Sequence, residues 1–151
     1  MVKMETLREM IKRHEGWRLK PYLCPAGKKT IGAGWNIDAN ALPPSTASYL
    51  RLHGTITDSM AEELLTLSID MAVLQCKSLY VGFDTFSERR RNALIDFVFN
   101  VGVGTAIKFT KMRNAIIKQD WNKAADEMVN SAWYTQVGNR GPEIVGMIRE
   151  G

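Results

Sequence analysis

Glu15 is the first residue whose type and position could carry out chemistry. If the preceding segment is helical, Glu15 lies about 20° from Met4 and about 40° from Ile11 around the helix axis, on an apolar stripe. Burial on this stripe and the negative end of the helix dipole both favour the protonated carboxyl. A general acid must carry its proton near neutral pH. Glu15 is therefore a candidate acid; the alternative is an ordinary glutamate that faces solvent at a helix end.

Cys24 and Thr30 form a second candidate group because they flank a predicted turn at residues 25–28. Pairing of the two flanking strands would bring the thiol and the hydroxyl close together. One face of the second strand would carry that hydroxyl and then bare backbone: Thr30, Gly32 and Gly34. The other face would be apolar: Ile31, Ala33 and Trp35. The first face leaves room for a ligand, although a glycine-rich edge strand with a bulge would show the same pattern.

The elements that must position these residues follow from the hydrophobic periodicity. Apolar residues recur every three or four positions from Val2 to about His14, which predicts a helix, and Gly16 is a natural stop after it. Residues 22–37 predict a β-hairpin and residues 45–52 a short helix. Thr57 is the predicted N-cap of a longer helix. Its apolar seam is predicted to consist of Met60, Leu64, Leu67, Met71 and Leu74.

The second half of the chain is predicted to be helical throughout. Ser87 is expected to cap a helix that reaches Val101, and the stretch Ala93–Phe99 is apolar on nearly every side, which predicts a buried central helix. Further helices are predicted near residues 108–118, 121–131 and 142–150, with Asp120 as a cap and Pro142 in a first turn. The fold class is therefore α+β, mainly helical with a small β lobe.

Composition limits the kinds of function. The chain has 151 residues, a net charge of +4 and two cysteines far apart in sequence, which favours free thiols over a disulfide framework. No metal-ligand spacing is present, so we expect neither a metal nor a cofactor. The charge suits an anionic partner such as a nucleic acid, a membrane surface or a cell-wall polymer. No signal peptide or membrane-spanning run is predicted, which favours synthesis in the cytoplasm without stable membrane insertion.

Several motifs occur in the order seen in one known family. Glu15-Gly16, Arg18-Leu19-Lys20, Tyr22 and Thr30-Ile31-Gly32-Ala33-Gly34 resemble the phage lysozyme (endolysin) family, glycoside hydrolase family 24. Downstream, the resemblance continues in Arg90–Leu94, Phe97–Gly102, Phe109-Thr110, the Trp121 region, Trp133-Tyr134 and Asn139-Arg140. That family carries a Glu, an Asp or Cys, and a Thr at the spacing of residues 15, 24 and 30.

The resemblance implies a lysozyme-like fold and a peptidoglycan-degrading hydrolase. A single domain over residues 1–151 would contain a β lobe at about 16–57 and a helical lobe at about 75–151 that includes the N-terminal helix, joined by a long helix with the glycan in the cleft. Glu15 would protonate the oxygen between N-acetylmuramic acid and N-acetylglucosamine, and Thr30 would position the water or the sugar. The substrate-binding or orienting residues would be Arg140, which would pair with Glu15, together with Gly32 and Asn100.

Cys24 departs from the two carboxylates that glycosidases usually employ. The thiol could act as a base, as a nucleophile or not at all, and these alternatives leave the stereochemical course open. Trp35 replaces the histidine usual in the family, and residues 36–56 also depart from the family pattern. The loss of a second carboxylate would also suit a non-catalytic wall-binding module. For an enzyme, hydrolysis and lytic transglycosylation are separate outcomes, because both start with an acid such as Glu15.

Two weaker patterns point elsewhere. His14 and Cys24 could form a cysteine-hydrolase dyad, but no third orienting residue is evident. Arg89-Arg90-Arg91 could bind nucleic acid, although such a run usually begins a solvated helix. We therefore expect bacterial peptidoglycan rather than nucleic acid as partner, a monomer, and release of the enzyme to the wall through a holin.

Overall fold

The computed structural model describes residues 4–151, and it divides the chain into two compact units, one ending at Ser68 and the other running from Ile69 to Gly151. Val2, where the first helix was predicted to begin, lies outside the described residues. Among the residues described, no helix is both long enough and apolar enough to cross a membrane. The predicted α+β class with mainly helical content is confirmed.

The elements of the first unit surround a small antiparallel sheet with the order β1-β2-β3. They are α1 (Leu7–Glu15), β1 (Arg18–Leu23), β2 (Lys29–Gly32), β3 (Trp35–Asn36), α2 (Pro44–His53) and the start of α3 (Asp58–Leu79). The core of this unit contains Ile31, Ile56, Ala61 and Leu64, and Trp17, Leu19 and Trp35 are among the side chains packed against it.

Helix α1 begins later than the periodicity predicted. The side chain of Thr6 accepts a hydrogen bond from the backbone N–H of Glu9 at 3.2 Å and so caps the helix immediately before Leu7. Met4 therefore lies outside the helix and is 80% exposed, so its predicted place on the apolar stripe was wrong. Ile11 is fully buried, and Gly16 ends the helix as predicted, with its N–H donating to the Lys12 carbonyl.

The predicted hairpin is confirmed, but its second strand is shorter than expected. Tyr22 lies opposite Thr30, whereas Ile31 lies opposite Trp35 in a third strand. The chain turns back after Gly32, so the predicted alternation of two faces along residues 30–35 was wrong. Gly32 and Gly34 have φ of +66° and +83°, a backbone region that favours glycine and that allows this turn.

The long helix α3 is capped by Thr57, whose hydroxyl accepts a hydrogen bond from the Met60 N–H at 3.1 Å, as predicted. The predicted apolar seam was largely wrong. Leu64 is buried as predicted, and the other side chains that α3 buries are Ala61, Leu65, Ile69, Ala72, Cys76 and Leu79. Leu67, Met71 and Leu74 are exposed. Both sides of this helix carry apolar residues, so periodicity alone did not identify the side that the protein buries.

The second unit is built around the buried helix α4 (Glu88–Val101), which Ser87 caps as predicted. Phe97, fully buried, makes edge-to-face contacts with Phe109 and Trp133. The other helices of the unit are a 3₁₀ turn (Phe83–Thr85), α5 (Val103–Ala106), α6 (Thr110–Ile117), α7 (Trp121–Val129), α8 (Ala132–Gln136) and α9 (Arg140–Glu150). Asp120 caps α7 and Pro142 lies in the first turn of α9, as predicted; α8 was not predicted.

Candidate active site

Glu15 is the last residue of α1 and its side chain is half-buried. Gly16 follows with φ +81°, which ends the helix and redirects the chain into β1. The Glu15 carboxylate lies directly against the turn between β2 and β3. A Cβ added to Gly34 would lie 3.1 Å from Glu15 Oε2 and 3.3 Å from its carboxyl carbon. The carboxyl group of α1 therefore meets bare backbone of the hairpin, and a side chain at position 34 would displace it.

Cys24 and Thr30 lie near the other end of β2, at the turn that joins it to β1. The Cys24 N–H donates to the Lys28 carbonyl at 2.9 Å, which closes the turn. Thr30 is only 4% exposed, and its hydroxyl donates to the same carbonyl at 2.9 Å. Hydrogen bonding from the Lys28 backbone lowers the pKa of the partly exposed Cys24 thiol, and hydrogen bonds from the Ala26 backbone and the Thr30 side chain act in the same direction. The thiol and the hydroxyl are thus neighbours, and these hydrogen bonds stabilise the thiolate relative to an ordinary cysteine.

Tyr22 is a residue of this site that sequence reasoning missed. It lies opposite Thr30 across β1 and β2, and the Arg18 guanidinium lies 4.5 Å from the centre of its ring. Burial raises the pKa of the phenol, and the charges of Glu15 and Cys24 raise it further, against the opposing effect of Arg18. The phenol is therefore within electrostatic reach of both the acid and the thiol. The sequence feature that could have identified Tyr22 is its position in the strand that leads to Cys24.

Gly32 and Trp35 hold the hairpin in place from the opposite side. Gly32 is buried, and a Cβ on it would lie 3.8 Å from the Cβ of Ala61, so the hairpin backbone runs close to α3. Trp35 packs against the core of this unit and its indole N–H donates to the Asn40 carbonyl at 3.1 Å. A substrate-orienting role of Gly32 stays a prediction.

Arg140 and Asn100 belong to the second unit. Arg140 Nε donates to the fully buried carboxylate of Asp96 at 2.9 Å, and its own side chain is 9% exposed. Asn100 Oδ1 accepts a hydrogen bond from the Trp133 indole N–H at 2.8 Å. The predicted pairing of Arg140 with Glu15 and the predicted substrate role of Asn100 stay predictions. Sequence reasoning missed Asp96, although it is the only charged residue in the apolar stretch Ala93–Phe99.

Among residues 4–151, no group of three or more His, Cys, Asp or Glu side chains is arranged to hold a metal ion. The groups at hand are a carboxyl, a thiol, a buried hydroxyl and a phenol around the three-stranded sheet. Such groups can donate a proton to a leaving oxygen and can orient or deprotonate a water molecule.

Comparisons with known proteins agree on one family. The family model described as phage lysozyme matches residues 12–149. A probable T4-type lysozyme of Dictyostelium discoideum is 28% identical over 98% of this chain and 96% of its own length. The endolysin of Acyrthosiphon pisum secondary endosymbiont phage 1 is also 28% identical, over 93% of this chain and 86% of its own. The pre-baseplate central spike protein Gp5 of Enterobacteria phage T4 is 25% identical over 97% of this chain, which corresponds to 28% of that protein. With most of its length matched, the chain belongs to the phage lysozyme family of glycoside hydrolases.

Proposed function

We propose that Glu15 is the general acid with which this enzyme hydrolyses the β-1,4 bond between N-acetylmuramic acid and N-acetylglucosamine. Membership of the family implies peptidoglycan as substrate. The observation that carries the role of Glu15 is its approach to Gly34, where an added Cβ would lie 3.1 Å from Oε2. A sugar lying along this bare backbone would bring its glycosidic oxygen within reach of the carboxyl proton.

Thr30 and Cys24 supply the second half of the reaction in this proposal. The Thr30 hydroxyl donates its single proton to the Lys28 carbonyl in this structure, and rotation of the hydroxyl would direct that proton to the thiolate when Cys24 ionises. Cys24 acts as the base that deprotonates the attacking water, because its lowered pKa increases the thiolate fraction near neutral pH. The roles of nucleophile and bystander are the alternatives to this assignment. The pH–rate profile of Cys24→Asp separates an active thiol from a bystander, and inversion rather than retention at the anomeric carbon separates the base from the nucleophile.

The experiment that tests the acid is a turbidity assay on chloroform-treated Gram-negative cells. We expect Glu15→Gln to keep the fold, measured by circular dichroism, and to lose clearing by about 10²-fold or more, the usual contribution of a general acid. Glu9→Gln is the matched control, because it removes a carboxylate from the first turn of the same helix. Clearing by Glu15→Gln at the control's rate would refute the assignment, and wall binding by the wild type without clearing would indicate a binding module instead.

The absence of a second carboxylate favours one alternative reaction, lytic transglycosylation, in which a hydroxyl of the substrate replaces water. Both reactions begin with protonation by an acid such as Glu15. Mass spectrometry of the released fragments distinguishes them, because hydrolysis leaves reducing ends and intramolecular attack leaves anhydro ends. Our proposal predicts reducing ends; a product mixture dominated by anhydro ends would establish the transglycosylase.

The route to the wall is part of the same proposal. Similarity to a phage endolysin supports synthesis in the host cytoplasm followed by release through a holin. We expect expression of this chain alone to leave host cells intact, whereas co-expression with a holin brings rapid lysis. Equally rapid lysis without the holin would contradict this route.

A further inference from the structure

A row of polar contacts joins α1 to the first two turns of α3. Arg8 and Lys12 lie one helical turn apart on α1, and both donate to the Glu62 carboxylate. One turn earlier on α3, Asp58 Oδ1 accepts a hydrogen bond from the Trp17 indole N–H at 2.8 Å. The Lys12 ammonium also lies 4.5 Å from the centre of the Trp17 ring, so these contacts are continuous. We call Lys12, Trp17, Asp58 and Glu62 the α1–α3 clamp.

The α1–α3 clamp holds the chain on both sides of Glu15. Lys12 precedes Glu15 by three residues, and Trp17 follows it by two. Beyond the clamp, the Ile56 N–H donates to the Leu19 carbonyl at 2.9 Å, which ties β1 to the segment that leads into α3. The backbone that carries the carboxyl group is therefore anchored to α3 and its leading segment both before and after Glu15.

The same turns of α3 support the glycine turn that faces Glu15. Ala61 lies between the two acidic residues of the clamp, and its Cβ is 3.8 Å from the position of a Cβ added to Gly32. Ala61 also shares the buried core of this unit with Ile31 of β2. One short stretch of helix thus contacts both the chain that carries the Glu15 carboxyl and the turn that carries Gly34. Because a helix is stiff, the position of one relative to the other is fixed through α3.

We propose that the α1–α3 clamp sets the position of the Glu15 carboxyl relative to Gly34, and that Asp58 and Glu62 are positioning residues for the acid. This positioning role rests on the proposed function, in which Glu15 is the proton donor. The Lys12–Glu62 pair is partly exposed, and such pairs contribute little to stability. The clamp should therefore matter more for the rate of the chemical step, because a shift of about 1 Å in a catalytic group can lower a rate by up to about 10²-fold.

Steady-state kinetics on soluble peptidoglycan fragments test the clamp. We expect Asp58→Ala to lower kcat by about tenfold with KM unchanged, because the Trp17 indole loses its acceptor. Asp58→Asn removes the same charge from the start of α3 but keeps an oxygen acceptor, so it should retain most of the wild-type kcat. Thr66→Val is the matched control, since Thr66 accepts a hydrogen bond from Arg8 at 2.8 Å two turns further along α3. A wild-type kcat in Asp58→Ala, or equal losses in all three variants, would overturn the proposal.

Coupling to Gly34 distinguishes positioning of the acid from a general loosening of the fold. Gly34→Ala should displace the Glu15 carboxyl by itself, so the clamp has little left to position in that background. We expect Asp58→Ala to lower kcat by about twofold or less in Gly34→Ala, against about tenfold in the wild type. Losses that simply multiply would contradict the clamp.

Glu15→Gln separates this result from the proposed function. An inactive Glu15→Gln beside a fully active Asp58→Ala would overturn the clamp alone. An active Glu15→Gln would overturn the acid assignment, and the positioning role with it.

Discussion

At the scale of single residues, the site depends on how closely a carboxyl group approaches a backbone. The position of Glu15 at the end of α1 could be predicted from the sequence because it follows Ile11 by one helical turn, and this relation survives the later start of α1; its role as an acid stays a prediction. Gly34 was expected only to leave space. Gly34 lies close to Glu15 because the chain turns after Gly32. A short glycine-rich segment does not show in the sequence where such a turn will occur.

Gly34→Ala tests that approach. The added Cβ would lie 3.1 Å from Glu15 Oε2 at a residue with φ +83°, so the carboxyl group must move. We expect clearing to fall by about tenfold or more, since misplacement of a catalytic group by about 1 Å can cost as much as 10²-fold. Gly54→Ala is the control, because Gly54 also has a positive φ but has nothing within 4 Å of its added Cβ. If both variants lost the same amount of clearing activity, the loss would come from backbone strain at a positive φ and not from displacement of the Glu15 carboxyl.

Cys24→Asp tests whether the thiol is the base. The pKa of Cys24 is lowered from its ordinary value, so the thiolate is present above that lowered pKa and is lost as the pH falls through it. A carboxylate ordinarily titrates at about 3.9, and the acidic limb of the pH–rate profile should therefore move to lower pH in Cys24→Asp. Cys24→Ser should lose most activity. Identical profiles for all three proteins would make the thiol a bystander.

At the scale of elements, the features predicted best from the sequence are those that depend on a few neighbouring residues. The caps Thr57, Ser87 and Asp120 each bind a backbone N–H three residues on, so their signals are contained in a few positions. The packed side of α3 was predicted wrongly because the choice between its two apolar sides depends on partners distant in sequence. The pairing of Asp96 with Arg140 could not be predicted for the same reason, since 44 residues separate them.

Asp96→Ala tests what that pairing contributes to α4 and α9. Removing one partner of a buried ion pair leaves an uncompensated charge and usually costs about 3–5 kcal/mol in the free energy of unfolding. Asp126→Ala is the control, because Asp126 of α7 pairs with Arg149 of α9 at 2.8 Å on the surface, where such pairs contribute about 0–1 kcal/mol. Urea unfolding measures both variants. A loss in Asp96→Ala no greater than in the control would show that the pair is not needed for stability.

At the scale of the whole molecule, the net charge of +4 should matter for binding the wall rather than for the chemical step. We expect clearing of cells to weaken several-fold as ionic strength rises to physiological values, because the Debye length shortens to about 8 Å. Cleavage of short soluble glycan fragments, which carry far less charge than the wall, should change much less. The same salt dependence for both substrates would place the effect on the catalytic site.

In the proposed reaction, the Glu15 carboxyl, held against the backbone of Gly34, protonates the glycosidic oxygen. The most direct measurement of this step is the rate at which Glu15→Gln releases new reducing ends from purified peptidoglycan, with cosedimentation showing that the variant still binds. We predict normal cosedimentation and a rate lower by about 10²-fold or more. Release of reducing ends within a few-fold of the wild-type rate would contradict the assignment of Glu15 as the acid.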